Sequence, residues 1–224
     1  MKNISKGTLA TIVILAVIIV DQAVKIWIKT HFYLGEDYPV TSWFKIDFIE
    51  NNGMAFGMEM GSKLFLTLFR IAAVCFLTWY LVLICRNRNF TRGYVACVAL
   101  VLAGAAGNIF DCIFYGVLFN NPMPPEVAVM FPPGGGYAPL FHGRVVDMLY
   151  FPLFSFDWPT WMPWIGGQHF IFFQPVFNIA DSAITVGMLV LIFFMSKYLS
   201  VPLRPNTSHS PDDNSDKPAT DDNE

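Results

Sequence analysis

The chain has 224 residues, of which 54% are hydrophobic and 16% aromatic but only 14% charged, against about 25% charged in an ordinary soluble domain. That composition excludes a soluble globular fold, and a net charge of −3 without a basic stripe excludes a nucleic-acid partner. The apolar residues fall in long runs, so the solvent implied is lipid; the length suits one domain, residues 1–201, with an acidic tail at 202–224.

Residues 8–20 (TLATIVILAVIIV), behind Lys2 and Lys6, resemble a secretory leader at first sight, but no small-residue cleavage site follows. DQAVKIWI instead carries the run to Ile28, which at about 1.5 Å per residue crosses roughly 30 Å of hydrocarbon. Further spans are predicted at 64–85, 93–118 and 176–199, making four. Lys2 and Lys6, then Arg86, Arg88 and Arg92 in the short 86–92 link, then Lys197 and Arg204 all fall on one side. The positive-inside rule makes that side cytoplasmic, so both termini are expected inside and the connections 29–63 and 119–175 outside.

The first outer connection alternates apolar and polar residues (Phe44, Lys45, Ile46, Asp47, Phe48) ahead of Asn52-Gly53, a pattern that predicts a small β element with a hairpin turn. The second is rich in Pro and Gly, then in aromatics (Trp158, Trp161, Trp164, Phe170, Phe172, Phe173), which predicts an interfacial segment on the bilayer. The tail, with six acidic residues after Ser210, is expected to be disordered. The fold class expected is thus an all-α membrane protein of four transmembrane helices, with a small β element and an interfacial segment on the outer side. Cys75, Cys85, Cys97 and Cys112 lack metal or disulfide spacing and read as small buried hydrophobes; His31, His142 and His169 are scattered and read as ordinary outer residues. No metal or cofactor is expected.

Ionisable groups inside apolar spans are costly and need a reason. Asp21 stands about 20 Å up the first span from its cytoplasmic end and Asp111 roughly 27 Å up the third, while Asp181 opens the fourth from outside. Each has a polar neighbour on its helical face: Lys25 after Asp21, Asn108 before Asp111, Asn178 before Asp181. Asp147, in GRVVDM, lies between apolar neighbours that turn it back toward the membrane surface. Carboxylates gathered at one depth suit hydrolysis. Two close acids cannot both ionise, so one donates its proton to a scissile carbonyl while the other accepts one from water.

DQAVK (21–25), NNGMAFG (51–57), AGAAGNIFD (103–111), GRVVDM (143–148) and FNIADS (177–182) resemble, in order and in their relation to the helices, the lipoprotein signal peptidases of bacteria. The resemblance covers nearly the whole chain except the tail. It implies an inner-membrane aspartic endopeptidase that removes prolipoprotein signal peptides at a diacylglyceryl cysteine, with Asp147 and Asp181 catalytic and the active site toward the periplasm. It further implies that Asp21, Lys25, Asn51, Gly53, Asn108, Asp111, Asn178 and Ala180 support the site, that membrane lipids surround it, and that globomycin blocks it. The family usually has an Arg where this chain has Cys112, and Arg144 is the candidate replacement; the stretches 112–142 and 148–176 are longer than is typical.

Plainer readings stand beside these. Asn52-Gly53 suits a simple hairpin turn, AGAAG suits close helix packing, Asp21 with Lys25 suits a structural ion pair, Asp111 suits an acceptor orienting the outer loop, and the Trp cluster suits an interface anchor. A small proton- or ion-coupled membrane carrier would use the same buried acids, although no internal repeat supports one.

Overall fold

The computed structural model describes residues 4–52 and 63–203; the expectations for Gly53, the hairpin turn and the tail beyond Leu203 lie outside them. Four main helices form: α1 (Lys6–His31), α2 (Lys63–Arg86), α3 (Arg92–Leu118, with a π turn at Asp111–Tyr115) and α4 (Ile179–Phe194). Ser5 and Thr91 cap α1 and α3, their hydroxyls accepting the Thr8 and Tyr94 N–H groups at 3.0 and 3.3 Å.

The first three helices are long and apolar enough to cross a membrane. The fourth is shorter than the expected 176–199, because Asn178 caps its start and it ends at Phe194 before a 3-10 turn at Ser196–Ser200. Its 16 residues span about 24 Å. Large apolar residues such as Ile19, Phe69, Phe76 and Phe193 stand exposed on the outward faces, as lipid-facing surfaces require.

The third helix is the axis of the bundle and packs against the other three. It approaches α4 closely at Gly104, where an added Cβ would lie 2.2 Å from the Ala180 carbonyl oxygen. The small-residue run is therefore a packing device. Since the clashing atom is backbone, Gly104→Ala should lower stability by about 1–3 kcal/mol. Gly134, where a Cβ would meet nothing within 4 Å, is the control, and thermal unfolding in detergent should separate the two.

The β structure exceeds the expected small element. A four-stranded antiparallel sheet runs in the order β1 (Asp37–Pro39), β2 (Lys45–Asn51), β3 (Val145–Tyr150), β6 (Val176–Phe177), and β4 (Phe154–Asp157) pairs with β5 (His169–Phe172) in a separate hairpin. The second long connection therefore contributes strands as well as loops. Its aromatics stack on one another, Phe154 on Phe172 at 4.8 Å between ring centroids, while Trp161 and Trp164 are left exposed.

Phe48, Val146 and Met148 of the sheet pack with Ile28 and Phe32 at the end of α1 and with Tyr115 and Phe119 at the end of α3. This apolar joint seats β3 on the bundle. It brings the first half of the chain against the second, with Ile49 opposite Asp147 and Asn51 opposite Val145.

Candidate active site

Asp147 lies on β3, a central strand, and is 2% exposed. A strand was not foreseen there, yet the alternation explains the burial: Val146 turns into the apolar joint and Asp147 to the other face, toward the start of α4. Asn178 Nδ2 donates to Asp147 Oδ1 at 2.6 Å. Asn51, diagonally across from Asp147 on β2, donates to the same carboxyl group.

Asp181 is placed by a capping box. The Asn178 side chain accepts the Asp181 N–H at 2.8 Å, and the Asp181 carboxylate accepts the Asn178 N–H at 3.4 Å. Asn108 Nδ2 donates to Asp181 Oδ1 at 2.7 Å. The three-residue spacing of FNIAD is thus the signature of a helix start, and it presents a carboxylate to the positive end of α4. Asn178 touches both acids, joining Asp147 and Asp181 in one polar cluster.

Burial, and then the negative charge of Asp181, push the Asp147 carboxyl up to about 7, against the opposing pull of the Asn178 and Asn51 donors. A carboxylic acid that keeps its proton near neutrality beside a second carboxylate is the asymmetry that acid–base hydrolysis uses.

Beneath the two acids lies a fully buried ionic network. Lys25, Asp21 and Asp111 are each 0% exposed, and Lys25 Nζ lies 2.9 Å from Asp21 and 2.8 Å from Asp111. Lys25 also donates to Asn108 Oδ1 at 2.9 Å. That contact assigns the Asn108 oxygen to the lysine and its NH2 to Asp181. Asp21 accepts the Ala180 N–H at 2.9 Å and so ties α1 to the first turn of α4. Gly107 permits this closeness, since a Cβ there would sit 2.9 Å from Asp21 Oδ2. Asp111 receives Gln22 Nε2 at 2.8 Å and the Val146 N–H at 3.4 Å, which fixes the strand that carries Asp147. The ion-pair and loop-orienting readings of these residues are compatible with a site role, because the network holds the backbone on either side of both acids.

Of the residues singled out from sequence, Asp21, Lys25, Asn51, Asn108, Asp111, Asp147, Asn178, Ala180 and Asp181 converge here. Arg144 stands apart: its Nη1 donates to Glu50 at 3.0 Å and its guanidinium lies over Tyr137. Glu50 also pairs with the buried Lys29, whose ammonium faces the rings of Phe48, Phe119 and Tyr137. Sequence reasoning missed Gln22 and Tyr115, which complete the network through a 3.1 Å hydrogen bond, and Arg70, whose Nη1 donates to Cys112 Sγ at 3.2 Å. Cys112 is thus a polar contact as well as buried filler, and Cys75 is exposed on the bundle's surface, not buried.

Comparison with known proteins identifies a family. Residues 13–197 match the family described as Signal peptidase (SPase) II. The chain is 46% identical over 203 residues to a Lipoprotein signal peptidase of Porphyromonas gingivalis, covering 91% of this chain and 89% of that protein. It is 33% identical to one of Amoebophilus asiaticus, covering 85% and 78%. A solved structure described as a bacterial membrane enzyme shares the fold, with a TM-score of 0.57 at 23% identity over 85% of this chain and 89% of that one. The carrier alternative finds no support in any of these. Matched over most of its length, with buried carboxylates gathered where apolar helices meet a sheet, the chain belongs to the Signal peptidase (SPase) II family and is a multi-pass membrane protease.

Proposed function

We propose that the protein removes signal peptides from prolipoproteins by aspartic hydrolysis, with Asp147 and Asp181 as the catalytic pair. The observation that carries this reading is the shared contact with Asn178, which tethers Asp147, its carboxyl pushed up by burial, beside Asp181. In the reaction, Asp147 donates its proton to the scissile carbonyl oxygen while Asp181 takes one from water, whose oxygen attacks the carbonyl carbon. The tetrahedral intermediate then collapses. The proton held by Asp181 passes to the leaving nitrogen, and Asp147 recovers its own from the carbonyl oxygen.

The substrate is a signal segment that ends before a diacylglyceryl cysteine, its acyl chains lying in the surrounding membrane lipids. Globomycin blocks cleavage. All four helices cross a bacterial inner membrane, α4 with the help of its 3-10 extension. Both termini lie in the cytoplasm and the sheet end faces the periplasm, where exposed Trp161 and Trp164 anchor the hairpin at the interface. Residues 1–201 are the enzymatic unit.

Purified protein in detergent should release signal peptide from a diacylglyceryl precursor and stop when globomycin is added. Equal cleavage of the unmodified precursor, or no cleavage of either, would count against this substrate assignment.

A further inference from the structure

Arg70 is a cation inside an apolar span. It stands seven residues past Lys63 on α2, about 10 Å along the axis, a placement that is costly without a polar task. Lys63, Thr67 and Arg70 share one helical face by their spacing, and that face meets the loop leading into β3. Thr67 is 1% exposed and donates to the Phe141 carbonyl at 3.1 Å, while Arg70 reaches Cys112. The Cys112 carbonyl in turn accepts the Gly143 N–H at 2.8 Å. Arg70 therefore sits where the π turn of α3 meets the GRVVDM segment, at the contact between Cys112, next in chain to Asp111, and Gly143, four residues before Asp147.

The other cations of this region already hold oxygens of the protein. Lys25 holds Asp21 and Asp111, Lys29 and Arg144 hold Glu50, and Lys63 donates to Asn52 Oδ1 at 3.1 Å. Among the described residues Arg70 pairs with no carboxylate, and its hydrogen-bond partner is a thiol, a weak acceptor that engages one of five guanidinium donors. Those donors remain for a ligand that presents oxygens in a plane.

A peptide unwound for cleavage is such a ligand. Leaving helical structure frees its carbonyl oxygens, which in an apolar setting require donors from the protein, and a planar guanidinium serves two of them at once where an ammonium acts as a point charge. We propose that Arg70 holds backbone carbonyl oxygens of the signal segment as it enters the aspartate pair, so that α2 supplies the substrate-binding cation of this enzyme. This rests on the reading of Asp147 and Asp181 as the catalytic pair.

The test is steady-state cleavage of a lipid-modified precursor in neutral detergent without added phospholipid. Arg70→Ala should raise KM roughly tenfold to hundredfold, the loss expected for charge-assisted hydrogen bonds made equally in ground and transition states, with kcat within about threefold of the parent. Arg70→Lys should recover part of the affinity. Adding Cys112→Arg to Arg70→Ala, which returns a guanidinium to the volume that Arg70 now occupies, should bring KM back to within about threefold of the parent. An unchanged KM in Arg70→Ala, or a lost kcat at constant KM, overturns the proposal, and so does a folded double variant that shows no recovery. If Arg70→Ala alone fails to fold, Arg70→Lys and the double variant decide. Asp147→Asn is run alongside: full cleavage by that variant would mean the catalytic reading itself has failed, whereas its inactivity beside an indifferent Arg70→Ala removes only the role given to Arg70.

Discussion

Asp147→Asn and Asp181→Asn are each expected to lower kcat for precursor cleavage by at least about a thousandfold, the scale on which removal of an essential acid or base acts. At Asp147 the geometry keeps this from being a folding effect. An asparagine at 147 retains an acceptor for the Asn178 amide now donating at 2.6 Å, and the 2% exposed site no longer has to hold a charge. The two variants should be non-additive, because the acids act on one water.

The pH dependence follows from the same carboxyl group. With Asp147 pushed up to about 7 by burial and by Asp181, cleavage should decline by about tenfold per unit above pH 7 as the proton donor is lost. The sign for stability is also set. Asp147 binds its proton more tightly folded than unfolded, so its contribution is full below the ordinary carboxylate range near pH 4 and is lost as pH rises through 7, by about 4 kcal/mol in all. Asp147→Asn should flatten that slope and unfold at a higher temperature than the parent at pH 8. A thermal scan of both proteins at pH 5 and pH 8 measures the difference; parallel behaviour at the two values would contradict the protonated assignment.

Much of this site was legible because lipid makes polar residues conspicuous. Asp21, Lys25, Asn108 and Asp111 stand out in apolar runs, and the helical spacing that aligns them also holds in three dimensions. Asn178 and Asp181 were legible as neighbours on one face, although their relation turned out to be a capping box at the helix start. Asp147 was found by its apolar flanks, but not its strand: β3 exists because β2 lies beside it nearly a hundred residues away, and such a pairing leaves little trace in the local sequence. The cations were harder still. Arg144 stands three residues from Asp147 and is the substitute the sequence offers for an arginine absent at position 112; its pairing with Glu50 across the sheet is a contact the sequence does not display. Arg70 was passed over inside LFLTLFRIAAV because the average hydropathy of a span hides one charge. Which ionisable group faces which is decided by how helices rotate against one another, and rotation is settled by contacts such as Gly104 on Ala180 that no single segment contains.

Removing the Lys25 ammonium should unfold more of this protein than removing either catalytic acid. Lys25→Met leaves Asp21 and Asp111, both 0% exposed, without their shared counter-ion, and an uncompensated buried charge costs about 3–5 kcal/mol. The variant should accumulate poorly and unfold well below the parent temperature. Making the whole set neutral, with Asp21→Asn and Asp111→Asn added to Lys25→Met, should recover at least half of the lost stability, since a buried ion cluster is replaceable by uncharged groups at little net cost. Activity should not return with it. In the parent, the Lys25 ammonium at 2.9 Å and the Asn178 amide at 3.1 Å both donate to the Asn108 oxygen and so direct the Asn108 NH2 to Asp181 at 2.7 Å; without the ammonium only the longer amide contact holds that orientation, and small losses of alignment carry penalties of about a hundredfold in rate. A folded triple variant that cleaves at the parent rate would show that the network only fills space under the two acids, whereas folded and slow is the result expected if Lys25 sets the orientation of the amide on which Asp181 depends.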